Sequence, residues 1–298
     1  MSYLGEIAAI ITSITYAINS ALFTLAGREV GSMTVNRLRL LAAGLMLAAG
    51  HWLWLGNPWP LHAEPYRWYW LGLSGIIGLV FGDAFLFQAF VLVGPRISML
   101  MMSLAPIMAG FMAWMLLGES LGGWQMLGIV ITIIGVSWVV LEKNRRFRAA
   151  EENYLKGILF GLGGAVGQSL GLVLAKNGLG GDFSPLSANF IRMFSAMVVI
   201  WGFTLIRREV PTTITRVREK PGSLWKIIAG AFSGPVIGVS LSLFALQRAS
   251  IGVTSTLMAL PPLFLLPVDY CLFKERISWG AIAGTVVALS GVAILFLA

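Results

Sequence analysis

Apolar residues run along this chain in long blocks, broken by short polar stretches. Ten blocks can be drawn, near 4–26, 33–55, 68–91, 95–117, 124–141, 155–175, 184–206, 225–247, 251–273 and 279–298. Each holds roughly 20 residues, enough as a helix to cross about 30 Å of hydrocarbon. Membrane strands would alternate apolar and polar positions over about ten residues, and these blocks do not alternate. Helix is therefore the state that satisfies the backbone inside lipid. The pattern predicts an all-α integral membrane protein with ten transmembrane spans.

The blocks repeat. Sliding the chain 156 residues along itself pairs Pro106 with Pro262, Glu119 with Glu275, Met102 with Met258, Gly128 with Gly284, and Gly135-Val136 with Gly291-Val292. Between 78–141 and 234–297, 14 of 64 positions are identical without a gap. Two apolar stretches share some identities by chance, but proline, glutamate and glycines in one register point to duplication. The chain then divides into a five-helix repeat at 1–141, a basic linker at 142–154 and a second five-helix repeat at 155–298. An odd number of crossings per copy inverts the second copy in the membrane, as in many secondary transporters.

Composition agrees with the blocks. The chain is 57% hydrophobic and 11% charged, with a mean hydropathy of +0.84, too little polar surface to cover a soluble globule. The first block lacks a basic leader and a small-residue cleavage site and reads as a retained span. A net charge of +8 would suggest a nucleic-acid partner in a soluble domain, but here the basic residues sit between spans, so none is expected. One set of alternate loops holds thirteen Lys and Arg, among them Arg28, Arg96, Arg145, Arg207, Arg216 and Lys274; the other holds only Arg67, Lys176 and Arg248. That bias places both termini outside the cytoplasm, in a plasma membrane of the bacterial inner-membrane kind. One cysteine, Cys271, and two histidines, His51 and His62, supply no metal site or nucleophile, and no cofactor is expected.

Polar residues inside the blocks mark helix contacts or a cavity. Asp83 lies deep in span three with Gln88 beyond it. It is either half of a structural ion pair, with Arg96 or Arg39, or a cation or proton site. Arg39 and Arg192, early in spans two and seven, either snorkel to headgroups, latch a pathway or receive an anionic group. Tyr16, Asn19 and Gln168, with Ser98, Met101 and Met102 of span four and Thr254 and Met258 of span nine, are candidates for a substrate cavity, since methionine among small hydroxyls makes an adaptable wall. Pro106 and Pro262 predict kinks. Glu119 and Glu275 are expected to cap the helices that follow.

The repeated SLAPIMAGFMAWMLLGES with GIVITIIGV, and ALPPLFLLPVDYCLFKER with GTVVALSGV, resemble the drug/metabolite transporter superfamily in its ten-helix EamA-type branch. The resemblance implies a basket of ten helices, walls from spans three, four, eight and nine, and gating by spans one, two, six and seven. It also implies a secondary transporter that moves small metabolites, commonly amino acids, outward, with membrane lipid around it and H+ or Na+ as a coupling ion. The membrane-embedded glutamate of the four-helix multidrug relatives has no counterpart in span one, where Glu6 is close to the terminus. A lipid translocase on the same fold would need a lateral opening. A membrane enzyme would need a convergent acid–base set, and Asp83 without a histidine or second carboxylate is poor material.

Overall fold

The computed structural model describes residues 3–60, 63–105, 107–108, 122–146, 151–180, 183–248, 256–274 and 278–297. All regular structure among them is helical. Thirteen α-helices are described: α1 (Leu4–Val30), α2 (Ser32–Leu55), α3 (Pro65–Gly75), α4 (Asp83–Val93), α5 (Pro95–Met102), α6 (Gly123–Arg146), α7 (Glu151–Gly178), α8 (Pro185–Ile206), α9 (Val210–Glu219), α10 (Gly222–Ala231), α11 (Val239–Arg248), α12 (Pro261–Leu272) and α13 (Trp279–Leu297). Six helical stretches, such as Leu4–Val30 and Pro65–Val93, are long and apolar enough to span a membrane, and Thr256–Leu272 and Trp279–Leu295 are shorter apolar ones. Ile7, Ile11, Ile14 and Ile18 stand exposed along one face of α1 at helical spacing, the side a lipid solvent would cover.

Two predicted spans contain a π-helical stretch. Ile76–Gly82 joins α3 to α4, and Phe232–Gly238 joins α10 to α11. The two begin 156 residues apart, the shift read from the sequence. Pro235 inside the second has no N–H to give the α ladder, and a wider turn accommodates that loss. The first has no proline and relies on Gly78 and Gly82, which lie against another helix.

Each π stretch receives the first helix of the opposite half. α7 lies on α3–α4: a Cβ at Gly167 would be 2.5 Å from Gly82 Cα, and one at Gly171 3.1 Å from Gly78 Cα. α1 lies on α10–α11 with larger side chains, Phe23 against Gly230, Asn19 against Gly234 and Tyr16 against Gly238. The hydrogen bonds follow the same exchange. Thr12 Oγ1 donates to Gly238 O (3.3 Å) and Gln168 Nε2 to Gly78 O (3.2 Å), and Thr12 and Gln168 are themselves 156 residues apart.

Predicted spans four and nine are each interrupted. α5 stops at Met102, and Ser103–Leu104 form a turn; α12 starts at Pro261 after a break at Ala259–Leu260. These interruptions are again 156 residues apart. Pro262 therefore stands in the first turn of a helix, where a missing N–H costs nothing, and not inside one as a kink requires. Serines of other helices bond to carbonyls beside the breaks: Ser13 Oγ donates to Leu257 O, and Ser169 Oγ donates to Ala105 O (2.7 Å). Pro106, Glu119, Thr254 and Glu275 lie outside the described residues.

The last helices of the halves, α6 and α13, form one tightly packed pair. Gly128 faces Gly291 and Gly135 faces Gly284, so residue numbers rise along one helix as they fall along the other. Two copies of one sequence segment thus pack antiparallel. α9 was expected as loop; its proline at the first turn and polar face make it a short surface helix, too polar to be a span.

The ends of the bundle differ. At the end where α1 turns into α2 at Gly31 (φ 87°) and α4 into α5 at Gly94 (φ 85°), three ion pairs join the halves: Arg37–Glu209, Lys226–Glu29 and Arg96–Asp269 at 3.3 Å. Arg28 adds a cation–π contact, 5.0 Å above Phe273. At the far end Arg67 donates to Gly178 O (3.1 Å) and Gly180 O (2.7 Å), ending α7, and pairs with Glu64 in its own half. That hydrogen bond holds the exposed Glu64 carboxyl below the usual carboxylate range.

Candidate functional site

A cavity of about 540 Å³ lies between the halves. α1 presents Tyr16, Asn19 and Phe23, whose spacings of three and four keep them on one face. The chain from the first π stretch into α4 contributes Leu79, Asp83, Leu86, Phe87 and Phe90 by the same rule. The second half supplies Gln168, Met193, Gly234 and Pro235. Both broken helices reach the cavity at their breaks, with Met102 and Ser103 on one side and Met258, Ala259 and Pro261 on the other.

Its polar centre is a buried network on Asp83, which is 4% exposed. Arg39 Nη2 donates to Asp83 Oδ2 at 2.5 Å, and Gln168 Nε2 donates to Asp83 Oδ1 at 2.6 Å. Arg39 Nη2 also donates to Asn36 Oδ1 (3.1 Å), and Asn36 Nδ2 donates to Leu79 O (3.2 Å) and Val80 O (3.3 Å) in the π stretch. The guanidinium carbon of Arg39 stands 5.0 Å from the centre of the Phe87 ring, and Phe87 stacks on Phe90 at 5.6 Å. A charge pair in a low-dielectric interior is held by such surrounding hydrogen bonds, since the attraction alone scarcely offsets desolvation.

Arg192 stands behind this network, not in the cavity wall. Its Nη2 and Gln168 Oε1 are neighbours, 3.7 and 3.6 Å from where a Cβ on Gly78 would sit. Its backbone carbonyl abuts Gly75, and its Nε has no hydrogen-bond partner among the described residues. The Nε of Arg39 is likewise unpartnered.

Of the candidates named from sequence, the structure gathers Tyr16, Asn19, Arg39, Asp83, Met102, Gln168 and Met258 around one cavity. It sets Gln88, Ser98 and Met101 elsewhere. Gln88 accepts from Ser32 Oγ (2.6 Å), tying α4 to α2. Ser98 donates to Gly94 O one turn back (2.8 Å), and Met101 is 1% exposed in a core cluster with Val136 and Ala288. Arg96 pairs with Asp269 rather than Asp83, because Asp83 lies eleven residues from the Gly94 turn, about 16 Å along the helix. Phe23, Phe87, Phe90 and Met99 also line the cavity, and only their helical register with Asn19, Asp83 and Met102 signalled it.

Among the described residues, no group of three His, Cys, Asp or Glu side chains could hold a metal. The family model described as the EamA-like transporter family matches residues 3–141 and, a second time, residues 155–297. No curated protein matches the chain. One solved structure, described as "Crystal structure of protein", aligns with a TM-score of 0.63 at 17% identity over 97% of this chain and 96% of the other, a likeness of fold.

Proposed function

The chain belongs to the EamA-like transporter family, and on that premise we propose that it is a secondary transporter that exports small amphipathic metabolites, amino acids or related compounds, by alternating access. The observation that carries this reading is one cavity lined by both halves and touched by both helix breaks. Ten spans in two inverted repeats are the architecture of the proposal. The double family match, the π stretches and breaks at one 156-residue shift, and the antiparallel α6–α13 pair support it. The loop charges favour termini outside the cytoplasm of a bacterial inner membrane. On that orientation the Gly31 end is cytoplasmic, and its three ion pairs close the cavity there. Asp83 is the place where H+ or Na+ would couple, by competing with Arg39 for its oxygens.

Lipid translocation is less well supported. A lateral groove of about 440 Å³ between α3 and α8, lined by Trp68, Tyr69, Phe194 and Val198, shares no lining residue with the cavity. A lipid path would need the two to join.

Filling the cavity tests the reading. Met258→Trp adds bulk to a half-buried wall residue, so transport into liposomes of a panel of amino acids and amphipathic metabolites, organic acids among them, should fall at least about tenfold with thermal stability nearly unchanged. Undiminished transport would remove this cavity from the pathway.

Alternation predicts a change of access. In a protein whose Cys271 is replaced by alanine, a single cysteine at Met99, which lines the cavity beyond Arg96, should be shielded from reagents on the Gly31 side. Asp269→Asn removes one charge of the Arg96 pair and should speed labelling from that side several-fold. An unchanged rate would show that the pair does not hold that end shut.

A further inference from the structure

We propose that the cavity selects an organic monoanion, a carboxylate on an apolar body, with Arg39 as its contact and Arg192 as the positioning residue whose charge makes the selection. It rests on the transporter reading and narrows its cargo from amino acids and related compounds to those relatives that carry a carboxylate and no ammonium group. The argument is a count of charge. Among the described residues the charged side chains lining the cavity are Arg39 and Asp83, and these two neutralise one another. Arg192 lies one residue behind, next to Gln168, which also holds Asp83. No ion pair engages Arg192 among the described residues, and counted over them the site carries one cation in excess.

An uncompensated guanidinium in a membrane interior is costly, and a ligand that brings one negative charge relieves it. A ligand amine gains no such relief. Each oxygen of Asp83 already accepts one bond, from Arg39 and Gln168, so an ammonium group would share that carboxylate with a buried guanidinium that repels it. A zwitterion supplies no net charge, and a dianion brings one charge too many. The donors left over also fit the inference: Arg39 lines the cavity, and Asp83 and Asn36 both accept from its Nη2, which leaves the rest of the guanidinium for a ligand carboxylate. Beyond that head the wall is Phe23, Phe90, Met99, Met102 and Met258, an apolar and adaptable surface for the body of the ligand.

Four probes that share one phenyl body separate charge from shape. 3-Phenylpropanoate, L-phenylalanine, 2-phenylethylamine and 3-phenylpropanamide are titrated calorimetrically into the full-length protein in detergent at neutral pH. The acid should bind at least about tenfold more tightly than phenylalanine or the amide, with no measurable binding of the amine. Arg192→Gln should shrink the preference for acid over amide to about threefold or less, and Arg192→Lys, which keeps the charge, should retain most of it. A merely structural arginine would lower binding of acid and amide together.

Tighter or equal binding of phenylalanine or the amine overturns the inference, as does failure of all four probes to bind. Arg192→Gln with its preference intact would do the same, and the wild-type series decides even if that variant does not fold. Transport is read separately, by counterflow of labelled acid in liposomes. A bound acid that is not carried would count against the transporter reading and leave the anion preference standing.

Discussion

Asp83→Asn should lower the stability of the folded protein by about 3–5 kcal/mol, the cost of leaving a buried charge without its partner. The geometry makes the loss steep. The carboxylate accepts from two donors on two other helices, Arg39 of α2 and Gln168 of α7, so one side chain ties both halves to α4. Asparagine keeps the shape but turns one oxygen into an NH₂ group, which meets a donor wherever it points, and two guanidinium groups remain without an anion. The double variant Asp83→Asn/Arg39→Met should recover part of the loss, because the partners are coupled and their single effects do not add. Thermal unfolding of the four proteins in one detergent measures the cycle. If Asp83→Asn melts with the wild type, the network is not what holds α2, α4 and α7 together. If instead the variant folds, binds its ligand and loses only the pH or sodium dependence of transport, Asp83 is a coupling site before it is a structural one.

That network shows how far the sequence could be read. Asp83, Arg39, Asn36 and Gln168 all stand out as polar groups inside apolar blocks, and intramembrane polarity is costly enough to mean something wherever it occurs. Which arginine answers Asp83 was open, because a linear pattern gives depth along a helix but not rotation about it. Depth disfavours Arg96, which sits at the helix turn, and the packing of α2 on α4 then leaves Arg39. The repeat was legible for a different reason. Gly128, Gly135 and Gly291 are fixed by a backbone approach that no side chain survives, and a Cβ on Gly284 would meet the Val139 side chain at 2.7 Å, so the residue type itself records the contact.

The aromatic wall was much less legible. Phe23, Phe87 and Phe90 are unremarkable in a chain with 17 phenylalanines, and a ring facing a cavity looks, in sequence, like a ring facing lipid. The π stretches were hidden as well. Only one of them carries a proline, and a seven-residue change of helical pitch leaves the apolar block unbroken. The breaks at Ser103–Leu104 and Ala259–Leu260 lie two residues before Pro106 and Pro262, which the sequence marks, but the hydroxyls that bond carbonyls beside them, those of Ser169 and Ser13 on other helices, are remote in sequence.

Gly135→Leu and Gly291→Leu are the second pair of variants with a large expected effect, and they should behave alike. A Cβ on Gly135 would lie 2.7 Å from both Ala288 Cα and Gly284 O, and one on Gly291 would lie 2.7 Å from Gly128 O and close on Thr132 N. These obstacles are backbone atoms of the partner helix, so no side-chain rotation relieves them, and α6 and α13 must move apart along their whole contact. Overpacking alone costs about 1–3 kcal/mol, and separating two helices with little else between them forfeits dispersion contacts in addition. A loss above about 3 kcal/mol is expected for each. Gly202→Leu on α8, where nothing lies within 4 Å of the added Cβ, should stay within about 0.5 kcal/mol of the wild type. The comparison reaches beyond packing. Gly135 and Gly291 occupy one position of the repeat, and each lies against the other copy, so a two-fold relation makes their environments equivalent. Losses that agree to within about 0.5 kcal/mol are what that relation requires. If Gly135→Leu unfolds the protein while Gly291→Leu is harmless, the two helices are neighbours without being copies in equivalent places.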